Sequence, residues 1–497
     1  MSQFVQLPLF YLALYFLISG LDDLSVDLRV LWGSYVRRRG ERRGIASLPE
    51  IASLTKAPQR RIAIMVPLWQ ESKVIRAMVE TNLRQIHYRN YAFFLGVYPN
   101  DPDTVAVAQS LSRQYVNVHV VFCSRPGPTS KADCLNHIYR SIEDHEWRGS
   151  ARYDIVMLHD AEDTLHPASL ALVNWYAKDY GMVQVPVLPF PTKLSEWVHG
   201  VYCDEFAEFL SRDMRLREFA GAFLPSNGVG TAIRREHLDA LREAQDGLLF
   251  DPDCLTEDYE LGMKLAEAGC PQVFLPLTRK YGDLLATREY FPHRFHSAAR
   301  QRARWISGQC LQSWERHGWP MKGSSSYWFW RDRKGLWGNP MSLLALALLV
   351  LSAIAWIAPE SSALGPWLWM AGSIPGGDVL YTACTLLALE RVLVRVLLVS
   401  RVYGIGFALG VPLRMLLSTA INARATASAI RRFNQARASR RRLRWAKTEH
   451  SFPVAIPVQT AMAAAASGMD ASDTGFPAPA TLPEAEHPRA KGHAAGA

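Results

Sequence analysis

The strongest constraint on the fold is an alternation of short apolar segments and helical segments between residues 60 and 160. Four apolar runs have the length of buried strands, and segments with helical spacing separate them; the runs are 61–67, 91–98, 116–123 and 154–158. Strands separated by helices pair in parallel and are joined by right-handed crossovers. The sequence therefore predicts an α/β domain over residues 60–320.

Polar residues follow these strands at the places where parallel sheets bind ligands, which are the carboxyl ends of the strands. Pro67 and Glu71 follow the first strand, Asp101 follows the second and Lys131 follows the third. A carboxylate that contacts a base or a ribose and a lysine that faces phosphate fit these positions. Each residue taken alone is more often a helix cap or a solvated charge.

An acidic motif, His-Asp-Ala-Glu-Asp, follows the fourth strand and contains Asp160, Glu162 and Asp163. Closely spaced carboxylates at a strand end bind hard divalent cations such as Mg²⁺ or Mn²⁺, together with diphosphate oxygens. The alternative is a helix N-cap with an acidic first turn before Pro167. On this segment alone the cap is the more common explanation, and both interpretations stay open.

A second acidic motif, Thr256-Glu257-Asp258, precedes a segment with helical spacing. Thr256 is a typical helix cap, so the motif predicts the start of a helix. A carboxylate at the head of a helix can also act as a general base when it faces a cleft. The segment alone does not decide between the two.

A third motif places Gln301, Arg304 and Trp305 on one face of a predicted helix, because positions i, i+3 and i+4 are neighbours there. Arginine binds phosphate in a forked geometry, and an indole matches the flat apolar face of a sugar ring. The alternative is a basic surface helix beside a membrane. The combination of amide, guanidinium and indole is more specific than either acidic motif.

The first 25 residues predict a membrane helix that is retained in the protein. The stretch from Phe4 to Leu21 is almost entirely apolar, and basic residues follow it, whereas in a cleaved signal peptide they precede it. The arginines after the helix place its N-terminus outside and residues 26–59, a basic linker, in the cytoplasm.

Apolar runs after residue 335 predict a second membrane region. Met341–Ile357 and Trp367–Leu389 have the length of spans. Unpaired arginine is costly at bilayer depth, so the arginines of the next run predict interfacial helices; they are Arg391, Arg395, Arg401 and Arg414. The prediction is about two spans plus interfacial helices over 335–430, a basic juxtamembrane segment over 431–455 and a disordered Ala/Pro-rich tail over 456–497.

Composition narrows the class of protein. Hydrophobic residues make up 49% and charged residues 20% of the 497 residues, which excludes disordered and fibrous chains. The net charge is +9, but the arginines cluster beside apolar segments, so membrane lipid rather than nucleic acid is the expected partner. The seven scattered cysteines contain no C-x-x-C motif and indicate free thiols in a reducing compartment.

The order and spacing of the motifs resemble the inverting glycosyltransferases of family 2; the series is V-P-x-x-x-E, N-D, S-K-A-x-x-L-N, D-A-E-D, T-E-D and Q-x-x-R-W. Three further segments, Gly20–Leu24, Ala286–Pro292 and Trp445–Pro453, resemble a membrane-bound branch of that family. The resemblance implies a GT-A fold, a Rossmann-like mixed sheet, with an N-terminal transmembrane helix and a C-terminal membrane region.

The resemblance also implies which residues bind the donor. It assigns the nucleotide sugar to Pro67, Glu71, Asp101, Lys131 and Asp160. It assigns the metal, Mg²⁺ or Mn²⁺, to Asp160, Glu162 and Asp163. Many relatives have a second aspartate where this chain has Glu162, and the longer side chain leaves open which of the two neighbouring carboxylates is the ligand.

The catalytic roles implied by the resemblance fall on the other two motifs. Asp258, with Glu257 beside it, would be the base that deprotonates the acceptor hydroxyl. Gln301, Arg304 and Trp305 would position the donor diphosphate and the acceptor sugar.

The implied activity is that of a hexosyl- or N-acetylhexosaminyl-transferase in the inner membrane, multi-pass, with its catalytic domain in the cytoplasm. It would use a nucleotide sugar, with UDP-linked donors favoured, and a glycan acceptor to build or extend a cell-surface polysaccharide. Because few spans are predicted, export of the polymer would need an outer-membrane partner or an oligomer, and both stay open. Two alternatives stay open: a catalytically inactive scaffold for a surface receptor or secretion complex, and a single-sugar transferase that acts on a lipid-phosphate acceptor.

Overall fold

A computed structural model describes residues 2–38, 48–319, 322–357 and 377–439, together with Phe452. The predicted disordered tail lies outside the described residues. So do most of the basic juxtamembrane segment, part of the basic linker, and the first residues of the predicted span Trp367–Leu389.

A seven-stranded mixed sheet with the order β3-β2-β1-β4-β7-β5-β8 forms the centre of the domain. The strands, with the separate pair β6-β9, are β1 Ile62–Pro67, β2 Tyr91–Val97, β3 Val118–Phe122, β4 Ile155–Leu158, β5 Met182–Gln184, β6 Val187–Pro189, β7 Thr231–Arg234, β8 Gln272–Phe274 and β9 Thr287–Glu289. All neighbours in the large sheet are parallel except β7, which is antiparallel to β4 and to β5. The α/β prediction is confirmed.

Helices cover both faces of the sheet and extend beyond it. They are α1 Ser2–Arg38, α2 Ile51–Lys56, α3 Ile75–Gln85, α4 Pro102–Gln114, α5 Lys131–Trp147, α6 Ser169–Tyr176, α7 Trp197–Ser211, α8 Asp213–Phe219, α9 Arg235–Glu243, α10 Glu257–Glu267, α11 Phe295–Trp305, α12 Ser313–His317, α13 Gly323–Arg333, α14 Gly335–Ile357, α15 Gly377–Tyr403, α16 Ile405–Ala408 and α17 Val411–Ala438. A π-helical segment, Ile306–Gln312, joins α11 to α12.

Two cores explain why the strands are almost entirely apolar. Successive side chains of a strand point to opposite faces of the sheet. Ala63 and Met65 therefore pack with α5 in one core, while Ile62 and Ile64 pack with α3 and α4 in the other. Parallel strands buried on both faces are expected to be nearly continuous apolar runs.

The antiparallel strand β7 decides which loops meet at one edge of the sheet. The strands β1, β2, β3 and β4 all end at this edge, and β7 begins there because it runs in the opposite direction. The loop before β7, residues 225–230, therefore joins the segments that follow β1, β2 and β4. Sequence alternation alone predicts parallel strands and does not indicate this reversal.

The first helix is longer than predicted, which corrects the boundary at residue 25. α1 continues from the apolar segment to Arg38 without a break. Asp22 and Asp23 directly follow the apolar stretch. Their charges are neutralised by ion pairs with Arg331, in the distant helix α13, and with Lys334, which follows that helix. Because these pairs form only in the folded chain, hydropathy alone ended the helix too early.

Three of the four arginines of the run after residue 390, Arg391, Arg395 and Arg414, are also paired, which corrects their interpretation as unpaired interfacial charges. Arg391 and Arg395 contact Glu208 of α7, and Arg414 donates two hydrogen bonds to Asp204. Helix α15 runs through Arg391 to Tyr403, so no boundary separates the apolar run from the charged one. The pairing partners lie about 200 residues away along the sequence.

Within the described ranges, two helices are long and apolar enough to cross a membrane, and these segments are Leu7–Val36 and Gly335–Ile354. They coincide with the first predicted membrane helix and with the first apolar run of the C-terminal membrane region.

Candidate active site

A cavity of about 310 Å³ opens at the edge where β1, β2 and β4 end. Its size falls within the usual range for small-molecule sites. Ten of the predicted site residues line it: Pro67, Glu71, Lys131, Asp160, Glu162, Glu257, Asp258, Gln301, Arg304 and Trp305. The structure therefore joins motifs that are separated by more than 200 residues in the sequence.

Lys131 lies between the two acidic motifs. It is the first residue of α5, where the Ser130 hydroxyl caps the helix by accepting a hydrogen bond from the Asp133 backbone amide. Its Nζ is 2.6 Å from Asp160 Oδ1 and 4.0 Å from Glu257 Oε1. Burial favours the neutral amine, but these carboxylates outweigh it and hold the pKa of Lys131 above its ordinary value. A single ammonium thus faces both motifs.

Asp160 and Glu162 are the carboxylates of the first motif that reach the cavity. Among the described residues, no group of three or more His, Cys, Asp and Glu side chains is arranged to hold a metal ion. Mg²⁺ and Mn²⁺ bound with a nucleotide need only one or two protein carboxylates, because phosphate oxygens and water complete the coordination. The oxygen donors of Asp160 and Glu162 fit such a cation.

Asp101 and Asp163 do not line the cavity. Asp101 caps α4: its carboxylate accepts hydrogen bonds from the Gln70 and Thr104 backbone amides. Asp163 is fully buried, and its Oδ2 lies 2.7 Å from His159 Nδ1 and accepts a hydrogen bond from the Asp160 amide. Asp101 thus has the helix-cap role that was its alternative. Asp163 instead holds His159 and the backbone of Asp160 in place. Our metal assignment therefore uses Glu162 rather than Asp163.

Glu257 and Asp258 form the first turn of α10, where the helix dipole favours negative charge. Asp258 Oδ1 accepts a hydrogen bond from the Tyr259 amide at 2.7 Å. Burial raises the pKa of Asp258, with Lys131 opposing the shift. Burial and then the Asp258 carboxylate raise the pKa of Glu257 to about 7. Burial therefore makes the charged form of both carboxylates less favourable than it is in water.

The third motif presents its polar atoms to the same cavity. Gln301 Oε1 and Arg304 Nε have no hydrogen-bond partner in the described part of the chain. Trp305 lies edge-on to Tyr202 and Phe291. The π-helical segment begins directly after Trp305, and Gly308 in it lies so close to Thr256 that a Cβ there would be 2.4 Å from the threonine hydroxyl. This contact packs the third motif against the second.

Comparison with known proteins agrees with this geometry. A model of the family described as "Glycosyltransferase like family 2" matches residues 58–308, about half of the chain. The chain belongs to this family. The match covers all four strands of the predicted alternation and all three motifs of the cavity.

Two curated relatives of this chain are Bacteriophage adsorption protein B of Escherichia coli K12 and Bacteriophage N4 adsorption protein B of E. coli O157:H7. Each is 36% identical over 462 residues, which is 89% of this chain. These two relatives are the proteins that segments such as Ala286–Pro292 resemble. The resemblance predicted from the sequence is therefore confirmed. The chain spans 61% of the length of these relatives.

Among solved structures, a mannosyltransferase from Pyrobaculum calidifontis, determined with GDP-Man and Mn²⁺, has the same fold with a TM-score of 0.50. It is 17% identical, and the match covers 85% of this chain and 98% of that chain. The likeness confirms the GT-A prediction.

Several residues of the cavity were not predicted from the sequence. Glu289 lies in β9, and Trp69, Tyr98, Phe206 and Phe209 add aromatic surface. Burial and then the carboxylates of Asp163, Glu162 and Asp160 raise the pKa of Glu289 well above its ordinary value. The one signal for Glu289 was its place in the segment Ala286–Pro292, which the family resemblance singled out without a role.

Gly228 provides a test of how tightly Asp258 is held. Its φ is +76°, and a Cβ there would lie 2.5 Å from Asp258 Oδ2. We expect Gly228→Ala to lower kcat at least tenfold, because the new methyl group displaces that carboxylate, and to lose about 1–2 kcal/mol of stability through backbone strain. Steady-state kinetics and thermal unfolding measure the two effects.

The matched control is Gly221→Ala. Gly221 has a similar φ of +63°, but a Cβ there meets nothing within 4 Å. The control should lose similar stability and keep kcat. Equal kcat values for the two variants would mean that Gly228 does not set the position of Asp258.

Proposed function

We propose that the chain is a metal-dependent, inverting glycosyltransferase. It uses a nucleotide sugar, with UDP-linked donors expected, to build or extend a cell-surface polysaccharide. The observation that carries the proposal is one cavity that contains Asp160, Asp258 and Arg304. An inverting transfer needs groups that stabilise the leaving phosphate and a base on the opposite side of the sugar. Asp160, through a bound cation, and Arg304 would supply the first, and Asp258 would supply the second.

The leaving group of the proposed reaction is a nucleoside diphosphate. Lys131 and Arg304 place two positive side chains in the cavity, and both can hydrogen-bond to phosphate oxygens. Asp160 and Glu162 would hold the divalent cation, which when bound supplies further positive charge for the diphosphate. The Lys131 ammonium now paired with Asp160 can turn to the diphosphate when the donor enters.

The base of the proposed reaction is Asp258. Its Oδ1 is fixed by the Tyr259 amide, which leaves Oδ2 as the acceptor for a proton from the attacking hydroxyl. Attack from the face opposite the diphosphate inverts the anomeric carbon in one displacement, and the transition state resembles an oxocarbenium ion. No covalent sugar–enzyme intermediate is needed.

An aromatic surface favours a glycan as the acceptor. Trp305, Phe206, Phe209 and Phe291 all line the cavity. Phe291 packs against Phe206 with the ring centres 4.8 Å apart, so the surface is continuous. Large aromatic faces match the apolar faces of sugar rings. A glycan chain, rather than a single lipid phosphate, makes use of an extended surface of this kind.

The proposed location is the inner membrane, with several spans and the catalytic domain in the cytoplasm. The two candidate spans and the basic segments beside them support this location. Basic residues such as Arg431 and Arg432 at the end of α17 are suited to anionic lipid. Export of a polymer would need an outer-membrane partner.

The test of the proposed function is release of the nucleoside diphosphate by the purified full-length chain. The panel contains UDP-glucose, UDP-galactose, UDP-N-acetylglucosamine, UDP-N-acetylmannosamine and GDP-mannose, each with Mg²⁺ or Mn²⁺. We expect turnover with at least one donor and at least a tenfold loss of turnover on chelation with EDTA, restored by Mn²⁺. Absence of turnover with every donor would favour the inactive scaffold, and turnover that EDTA leaves unchanged would exclude the metal.

The product distinguishes the two active alternatives. Nuclear magnetic resonance of the new linkage should show inversion at the anomeric carbon, and size analysis should show a chain of several sugars. Retention would contradict the single displacement. A product with one sugar on a lipid phosphate would favour the single-sugar transferase.

A further inference from the structure

Glu289 reaches the cavity through a strand pairing that the active-site motifs do not contain. β9 pairs with β6, where Glu289 lies beside Pro189. The preceding residue, Arg288, forms an antiparallel bridge with Thr164, and the two residues exchange backbone hydrogen bonds of 2.8 and 2.9 Å. This bridge holds β9 directly beside the segment that carries Asp160 and Glu162.

The side chain of Glu289 faces the cavity. It lines the same space as Asp160, Asp258 and Trp305. Within the described ranges, its carboxyl forms no ion pair, and Lys131 is the positive group that acts on it. A carboxyl in such a position has two oxygens available, which can accept hydrogen bonds from two neighbouring hydroxyl groups.

The surroundings of Glu289 match a sugar ring. Phe291, two residues along, lies on the same side of the chain and also lines the cavity. Tyr290 between them packs outside the cavity, with Phe190 and His293. The wall thus presents a carboxyl beside an aromatic ring, and a sugar offers hydroxyl groups at its rim and an apolar face.

We propose that Glu289 binds hydroxyl groups of the donor sugar and thereby determines which sugar the enzyme accepts. This inference rests on the proposed function. The donor, rather than the acceptor, is the ligand because the bridge between Arg288 and Thr164 holds β9 beside the segment that carries Asp160 and Glu162, on the diphosphate side of the cavity. The sugar attached to that diphosphate comes within reach of the same wall.

The test compares binding of a free nucleoside diphosphate with binding of the corresponding nucleotide sugar. The full-length chain in detergent is titrated with UDP, UDP-glucose, UDP-galactose, UDP-N-acetylglucosamine, UDP-N-acetylmannosamine, GDP and GDP-mannose in the presence of Mn²⁺. We expect Glu289→Gln and Glu289→Ala to weaken binding of the best nucleotide sugar of wild type about 10- to 100-fold, as when a buried polar group loses its hydrogen-bond partner. Affinity for the free diphosphate should stay within about twofold, and discrimination between epimers should fall.

Two control variants separate this role from others. Tyr290→Phe changes the neighbouring side chain outside the cavity and should leave all affinities unchanged. Glu162→Gln should weaken the free diphosphate and the nucleotide sugar together, because both use the metal. If Glu289→Gln behaves like Glu162→Gln, Glu289 is a metal ligand and the inference is wrong.

Other outcomes also decide against the inference. Unchanged donor affinity and epimer discrimination in both Glu289 variants would overturn it, as would a change confined to the KM of the acceptor. If wild type binds nucleotide sugars but transfers none, the proposed function is wrong. The role of Glu289 is then still decided by the binding affinities of its variants. If wild type binds none of the panel, both fail together.

Discussion

Asp258→Asn is expected to lower kcat by about 10²–10⁴-fold, the usual contribution of a general base. Asparagine has the shape of aspartate, and its oxygen can still accept the Tyr259 amide hydrogen bond. It cannot take a proton from the acceptor hydroxyl. Donor affinity should be unchanged or slightly higher, because one negative charge facing the diphosphate is lost. Single-turnover kinetics and donor titration of the full-length chain measure the two quantities separately.

The matched control for this prediction is Glu257→Gln at the neighbouring position. Glu257 shares the cavity and the first turn of α10, and its pKa is raised to about 7. We expect the control to lose less kcat than Asp258→Asn. If Glu257→Gln abolishes turnover while Asp258→Asn retains most of it, the base is Glu257. Weaker donor binding in Asp258→Asn would show a structural defect instead.

Arg212→Met is expected to destabilise the protein by about 3–5 kcal/mol, because it removes one side of a buried ion pair. Arg212 is 2% exposed and donates to Asp27 of α1 at 2.6 Å and 3.1 Å. Glu208 lies 3.4 Å from the same guanidinium. Methionine fills much of the volume but leaves both carboxylates buried beside one fewer positive charge. Thermal unfolding in detergent measures the loss.

An exposed pair is the control for Arg212. Arg76 forms an ion pair with Glu80 one helical turn away, and its side chain is 41% exposed. Arg76→Met should cost less than about 1 kcal/mol, as exposed pairs do. Adding Asp27→Asn to Arg212→Met should restore part of the stability, since it removes a buried charge. Similar unfolding midpoints for Arg212→Met and Arg76→Met would show that α1 does not depend on this network.

The predicted strands agree with the structure within a few residues because their signal is local. The run 61–67 is apolar along its whole length because it is buried on both faces, and the structure has β1 at Ile62–Pro67. The same holds for β2 and β4. The strands β5, β8 and β9 have three residues each, which is too short for a periodic pattern, and they were missed.

The site was partly predictable for a different reason. Asp160, Asp258 and Trp305 belong to short motifs whose residue types indicate chemistry, and the order of these motifs along the chain carries the resemblance to the family. Asp163 belongs to the motif of Asp160, and Asp101 belongs to the N-D pair after β2, yet their carboxylates accept hydrogen bonds from backbone amides or contact His159. A sequence motif indicates that a carboxylate is present and does not indicate what it binds.

The sequence by itself determined the alternating strands, the three motifs and the apolar helices such as α1 and α14, because each of these depends on neighbours along the chain. Only the tertiary structure decided the direction of β7, the length of α1, the pairing of Arg414 with Asp204 and the arrival of Glu289 beside Asp160. These features depend on contacts between residues more than 70 positions apart. The energy of such a contact exists only after the chain has folded, so no local pattern records it.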